Sequence, residues 1–285
     1  MATEAAAGVR RRRLEAGGTA TRLVEAGPAE ATTAVVFVHG NPGSCDDWEP
    51  LAGAVGATGL RAVAFDLPDF GETIAPAGFE HTVFGYAAFV EAALAALAIE
   101  RVHLVVHDFG GPIGLAWAAS HAERIASITL IDIGILPGYK WHRLARIWRT
   151  PVLGELFQAT ATRGAFRTMI DRSEPRGLPR PFVERMFDHY DRRTKRAVLK
   201  LYRATDEPGE PDPQLVAALS AADPPALVIW GGGDPYLPSS YAERQREFLP
   251  RAEVHVLPHS GHWPFADDPA EVERLLLAFL AHTGA

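Results

Sequence analysis

The feature that most constrains this chain is an alternation. Short apolar runs at Ala34–Val38, Ala62–Asp66, Val102–Val106, Ser127–Ile133, Ala226–Trp230 and Glu253–Leu257, several bounded by Gly, Pro or Asp, read as buried strands. Between most of them lie segments of helical period. Gly85–Ala98 sets Tyr86, Phe89, Ala93 and Leu97 on one face, and Ala270–Ala281 does so with Val272, Leu275, Leu276 and Phe279. Such alternation predicts an α/β fold, a mostly parallel central sheet with helices on both faces.

One connection is too long for a crossover. From Gly134 to Pro225 there are 92 residues between consecutive strands, where a helix and two loops need a few dozen at most. An inserted helical cap is expected there, with helices around Trp141–Thr150, Gly154–Ile170, Pro181–Tyr190 and Arg193–Ala204. The division that follows is a mobile N-terminal segment over residues 1–20 containing Arg10–Arg13, a core of residues 21–133 and 224–285, and a cap over 134–223.

The net charge of −7 excludes a general nucleic-acid binder. It is unevenly spread: residues 140–203 hold sixteen Lys and Arg against six Asp and Glu. A single cysteine, Cys45, excludes an internal disulfide framework and a four-cysteine zinc site. No run of apolar residues is long enough for a membrane span, and the arginines near the start are not followed by the apolar stretch of a secretory signal, so a cytoplasmic protein is expected, without membrane partners.

The chemistry concentrates at strand ends. Val102–His107 followed by Asp108-Phe-Gly-Gly-Pro is strand, sharp turn, then helix, the pattern of a nucleophile elbow that lifts one side chain to the carboxyl edge of the sheet. The lifted residue is Asp108; a helix-capping aspartate is the plainer reading of that residue alone. Asp234 follows another strand in Gly-Gly-Gly-Asp-Pro-Tyr-Leu-Pro, and His262 follows the last strand in Pro-His-Ser-Gly-His-Trp-Pro. The order nucleophile, acid, histidine is that of a hydrolase triad built on strand ends. Asp132, at the end of the Ile128–Ile131 run, is an alternative acid.

With these three motifs in order, the chain resembles the α/β-hydrolase fold superfamily from about residue 20 to the end. His39-Gly-Asn41-Pro together with His107-Asp-Phe-Gly-Gly111 resembles its aspartate-nucleophile branch, which holds epoxide hydrolases and haloalkane or haloacid dehalogenases. The resemblance implies attack by Asp108 on a saturated carbon, an alkyl ester on that residue, and hydrolysis of the ester by water activated by His262, which Asp234 orients. A carboxylate suits this role because it is already ionised at neutral pH. The resemblance places the oxyanion donors on the backbone N–H groups of Asn41 and Phe109, and it implies no cofactor and no metal.

The leaving group stays open at this level. Dehalogenases of the branch commonly hold halide with a tryptophan after the nucleophile, but Phe109 has no N–H in its ring; Trp141 or Trp148 of the cap can substitute. Epoxide hydrolases protonate the ring oxygen with cap tyrosines. Tyr202 stands where one is expected, whereas the region of a first one, Thr150–Ala161, offers Phe157. The expected activity is that of an epoxide hydrolase, with a haloalkane or haloacid dehalogenase as the alternative and a non-hydrolytic, ligand-binding or cofactor-free member of the fold as a third. The expected partners are a small apolar or amphipathic organic substrate and water, with Tyr202, Trp141, Trp148 and Phe157 as substrate-binding candidates.

Overall fold

The computed structural model describes residues 8–206 and 208–284. The chain runs through β1 (Arg10–Ala16), β2 (Thr19–Ala26), β3 (Thr33–Val38), α1 (Glu49–Ala57), β4 (Arg61–Phe65), α2 (Val83–Ala96), β5 (Arg101–His107), α3 (Gly110–Ser120) and β6 (Ile125–Ile131). The inserted stretch supplies α4 (Arg143–Arg149), α5 (Leu153–Thr160), α6 (Arg163–Ser173), α7 (Arg180–Asp188), α8 (Arg192–Ala204) and α9 (Pro213–Ala222). The chain then closes with β7 (Ala226–Gly231), α10 (Ser240–Arg244), β8 (Glu253–Leu257), α11 (Pro264–Asp267) and α12 (Pro269–His282).

The eight strands form one sheet in the order β1-β2-β4-β3-β5-β6-β7-β8. Strands β3 to β8 are parallel, and only the β1–β2 and β2–β4 pairings are antiparallel. Both faces are covered, which is why the central strands read as unbroken apolar runs. Val36, Val38, Leu104, Val106, Leu130 and Val228 pack into the layer with α2 and α3. Phe37, Val105, Ile131, Leu227 and Ile229 alternate with them into the layer with α1 and α12. The α/β architecture expected from the alternation is the observed one.

The N-terminal expectation needs correcting. Residues 1–7 lie outside the described residues, but Arg10–Ala16 is an edge strand and not a mobile segment. A two-residue Gly17-Gly18 turn, with φ of 55° and 80°, folds β1 back on β2, the positive dihedrals that a tight hairpin requires. The arginines are accommodated because each faces a carboxylate: Arg12 meets Glu25, Arg11 meets Glu49 and Arg13 meets Glu72. Charged edge residues also discourage further strand pairing.

Two features of the insert differ from expectation as well. Gly154–Ile170 is not one helix: it breaks at Ala161, and Thr162 restarts it as α6 by accepting from the Ala165 N–H. The last helix, α9, packs against α3, so it serves the core layer and the covering helices end with α8. Helix α8 is begun by Asp191, whose carboxylate accepts from the N–H groups of Arg193 and Thr194. Thr194, Ala197, Val198 and Leu201 form its buried stripe, which brings Tyr202 inward beside it.

The chain moves from β3 outward to β4 and then returns to the other side of β3 with β5. Neighbouring connections therefore diverge at the carboxyl ends of β3 and β5, the place where an open parallel sheet leaves a crevice. Asn41 follows β3 and Asp108 follows β5.

Candidate active site

Asp108 is the residue directly after β5, with φ of 48°, a left-handed conformation that non-glycine residues adopt at a cost of about 1 kcal/mol or more. That turn faces the side chain back toward β3. Gly40 makes room for it, since a Cβ there would lie 2.4 Å from the Asp108 Cβ. The Asn41 N–H donates to Asp108 Oδ1 at 2.6 Å, and Phe109, at the head of α3, presents an N–H in the first helical turn, where no preceding carbonyl is available. The helix-capping alternative does not describe this carboxylate, which turns to Asn41 and to a histidine.

That histidine is His262. Its Nε2 lies 3.5 Å from Asp108 Oδ2 and its Nδ1 lies 2.7 Å from Asp234 Oδ2. Asp234 is fixed by the N–H groups of Tyr236 and Leu237, both donating to Oδ1, and its side chain has no exposed surface. His107 holds the loop behind: its Nε2–H donates to the His262 carbonyl at 2.7 Å, and burial pushes its own pKa down to about 3, so it stays neutral. His39 does similar work below Asn41, accepting from the Leu67 N–H and donating to the Gly40 carbonyl.

The charges of this group are interdependent. Burial disfavours an ionised Asp108, but the hydrogen bond and positive charge of His262 and the Asn41 N–H outweigh it and hold the carboxyl below its usual range. Burial likewise opposes a charged His262, yet Asp234 and Asp108 on its two nitrogens raise its pKa well above the ordinary value. The resting arrangement is an imidazolium between two carboxylates.

Asp132 is the other candidate acid. It too ends a strand with a positive φ of 45°, and its Oδ1 accepts from the Gly231 N–H at 2.8 Å. Burial first, and then the charge of Asp234, push its pKa well above the usual carboxylate range. Asp132 thus resists ionisation, and only Asp234 makes the hydrogen bond to the imidazole. Asp132, Asp234 and His262 do lie within 4.8 Å of one another, a grouping that also occurs at metal sites, but the Nδ1 of the histidine is already engaged by Asp234.

Above these residues, under the inserted helices, lie two apolar chambers, about 240 Å³ and about 110 Å³, each with Asp108 in its wall. The four substrate candidates all line them: Trp148 and Phe157 the larger chamber, Trp141 the smaller, Tyr202 both. Burial and the nearby Asp108 charge raise the Tyr202 pKa far above normal, so its hydroxyl remains a proton donor. Three further lining residues were not foreseen. Tyr190, just beyond α7, lines the larger chamber, and its hydroxyl accepts from Gln158 Nε2 at 2.7 Å, which leaves its proton for another partner. His142 and Tyr236 line both chambers; burial lowers His142 to a pKa of about 4. Trp141 Nε1, Trp148 Nε1 and both amide atoms of Asn41 are buried without a hydrogen-bond partner.

One carboxylate from the insert reaches the histidine loop. Glu174, at the end of α6, accepts the His262 backbone N–H on Oε2 at 3.0 Å, its Oε1 is buried without a partner, and burial pushes its pKa up to about 7. Among the described residues no helix is long and apolar enough to cross a membrane.

A family model described as alpha/beta hydrolase fold matches residues 33–269. The chain is 30% identical over 281 residues, 93% of its own length and 68% of the relative's, to the dihydrolipoyllysine-residue acetyltransferase component of the acetoin cleaving system of Pseudomonas putida. It is 27% identical over 286 residues, 93% of its length and 92% of the relative's, to a 2-hydroxy-6-oxononadienedioate/2-hydroxy-6-oxononatrienedioate hydrolase of Paraburkholderia phymatum. Among solved structures it is similar to a haloalkane dehalogenase from Bradyrhizobium elkani, with a TM-score of 0.84 and 23% identity over 97% of this chain and 99% of that one, a likeness that speaks to fold alone. The resemblance read from the motifs agrees with the family match, and the chain belongs to the alpha/beta hydrolase fold family.

Proposed function

We propose that this hydrolase opens epoxides through an alkyl ester on Asp108. The observation that carries the reading is the ionised Asp108 carboxylate, with one oxygen on the Asn41 N–H and the other 3.5 Å from His262 Nε2, in the wall of an apolar cavity that Tyr202 and Tyr190 also line. A serine nucleophile needs a base to remove its proton; this carboxylate does not.

An Asp108 oxygen attacks a ring carbon, the C–O bond breaks, and its electron pair passes to the ring oxygen. Tyr202, and Tyr190 with its hydroxyl oxygen already occupied by Gln158, supply hydrogen bonds to that oxygen as charge develops. Esterification removes the negative charge of Asp108, so His262 loses one of the two partners that raise its pKa and releases a proton, which balances the one gained by the new hydroxyl. Neutral His262, held by Asp234, then takes a proton from water. The hydroxide adds to the ester carbonyl, whose oxyanion meets the Asn41 and Phe109 N–H groups, and collapse releases the diol and restores both charges.

The second reading, halide displacement, is favoured by one observation: Trp148 Nε1 and Asn41 Nδ2 are buried donors without partners beside the larger chamber, the pair a departing halide needs. Replacing His262 by Gln tests the ester. Incubated with panels of epoxides and bromoalkanes, the variant is expected to accumulate the substrate's mass on the peptide containing Asp108, and diol without bromide in the wild type assigns the epoxide. Full turnover by the His262→Gln variant refutes the scheme.

A further inference from the structure

Of six large apolar side chains that stand in solvent among the described residues, three lie together at α5: Val152, Leu153 and Leu156, at 69%, 49% and 60% exposure. Leu153 and Leu156 are one turn apart on the outer side of the helix, whose inner side buries Gly154 and Gln158. Val152, just before it, has φ of 68° and ψ of −48°, a region that a β-branched residue enters only under strain. Strain and exposure both work against folding, which points to a partner outside the chain.

Cations stand beside this stripe. Helix α8 runs antiparallel to α5: Arg203 near its end grips Glu155 near the start of α5, and Lys195 near its start donates to the Ala161 carbonyl just past the end of α5. Lys195, Leu199 and Arg203, four residues apart, thus face α5, and the next stripe round the helix, Arg192, Arg196 and Lys200, faces solvent. Among the described residues none of these three has a carboxylate partner, because the nearby acids Glu155 and Asp191 are taken by Arg203 and Arg193. The imbalance extends to the whole molecule. Residues 140–203 hold sixteen Lys and Arg against six Asp and Glu, and the rest of the chain twelve against twenty-nine. An extended anionic surface therefore attracts the insert and repels the core, which fixes the orientation of approach.

The larger chamber opens on the same side. Thr160, one turn beyond Leu156 on α5, and Ala165 of α6 line it and are exposed, so its mouth lies at the turn between these helices.

We propose that this face docks on an anionic lipid bilayer. Val152, Leu153 and Leu156 enter the headgroup boundary, Arg192, Arg196 and Lys200 meet the phosphates, and an apolar substrate dissolved in the bilayer reaches the mouth without crossing water. Contact of this kind needs no membrane-spanning helix, and among the described residues there is none. The proposal goes beyond the ring-opening reading and does not depend on which bond Asp108 attacks.

Sedimentation of the full chain with vesicles tests it. The wild type is expected to bind vesicles of phosphatidylcholine and phosphatidylglycerol in equal parts at least about tenfold more tightly than vesicles of phosphatidylcholine alone, and added salt to erode that difference. Arg196→Glu with Lys200→Glu is expected to lower affinity for the anionic vesicles by at least about 25-fold, at about fivefold per cation lost. Leu153→Ser with Leu156→Ser is expected to lower it by at least about tenfold. Arg274→Glu, an exposed change on α12 of the core, is expected to alter it by less than about twofold, since that surface stays beyond the reach of the headgroup charge. If one pair of changes does not fold, the other decides. No binding to the anionic vesicles, equal binding to neutral ones, or a loss in Arg274→Glu as large as in Arg196→Glu with Lys200→Glu overturns the proposal. A lipid-free dimer that Leu153→Ser with Leu156→Ser splits assigns the stripe to a second copy of the chain and likewise overturns it.

Discussion

Replacing Glu174 by Gln should stabilise the protein, and by an amount that depends on pH. Glu174 is 4% exposed, with one oxygen on the His262 N–H, the other without a partner, and the carboxylates of Asp234 and Asp267 nearby. Burial raises its pKa from 4.5 to about 7, and the charged His262 offsets only part of that. A carboxyl whose folded pKa is raised binds its proton more tightly in the native state, so its contribution is fully favourable below pH 4.5 and is lost as the pH climbs toward 7. At about 1.4 kcal/mol per pK unit, the full cost above pH 7 is about 3 kcal/mol, of which roughly 2 kcal/mol develops between pH 5 and pH 8. Glutamine keeps an oxygen for the His262 N–H and never ionises. Thermal melts of both proteins at pH 5, 6.5 and 8 should show the variant's advantage growing by about 5 °C across the series. Other groups that titrate in this range, Asp47 with a pKa of about 6 among them, are present in both proteins and cancel in the difference. A difference between the two proteins that stays constant with pH would refute the assignment of the proton to Glu174.

The ester on Asp108 should accumulate as the pH falls, because its hydrolysis needs a neutral His262 while its formation tolerates the imidazolium; acid-quenched mass spectrometry between pH 8 and pH 5 checks this, and a constant ester fraction contradicts it. Tyr202→Phe and Tyr190→Phe should each lower kcat on epoxides by roughly 10- to 100-fold, with little effect on bromide release, since displaced halide needs no proton. Asp234→Asn should cost about 10⁴-fold in kcat by leaving the imidazole in the wrong tautomer, whereas Asp132→Asn, which retains an oxygen for the Gly231 N–H, should stay within a few fold in a steady-state assay.

The parts of the fold legible in the sequence are those whose signal is local. Buried parallel strands must be apolar on both faces, so β3 to β7 stand out within a residue or two of their ends, while β8, a largely unburied edge strand, is marked by its alternating valines. Strands β1 and β2 do not. Arg10–Arg13 reads as a solvated tail because the compensating carboxylates, Glu25, Glu49 and Glu72, are spread along the chain and meet the arginines only after folding. The boundary of the covering helices at α8 is hidden for the same reason, since α9 has the composition of its neighbours and differs only in packing on α3.

The site divides along the same line. Asp108, Asp234 and His262 each follow a strand, and the fold brings strand ends together at one edge, so order along the chain groups them, whereas Asn41 is reached only through the resemblance carried by His39-Gly-Asn-Pro. Tyr190, His142 and Glu174 reach the cavity or the histidine loop only through docking of the insert on the core, which leaves no spacing to read; the nearest signal is Tyr236, two residues after Asp234 in a loop already singled out. The two acids show where pattern stops and electrostatics begins. Asp132 and Asp234 both end neighbouring strands, and nothing in their spacing ranks them. Two carboxylates this close and this buried cannot both ionise cheaply. Asp234 makes the 2.7 Å bond to the imidazole and receives two backbone N–H groups, while Asp132 receives one and has an oxygen without a partner. The donors therefore favour Asp234 as the partner of the imidazole, and the acid proposed for the mechanism follows from counting hydrogen-bond donors around each carboxylate.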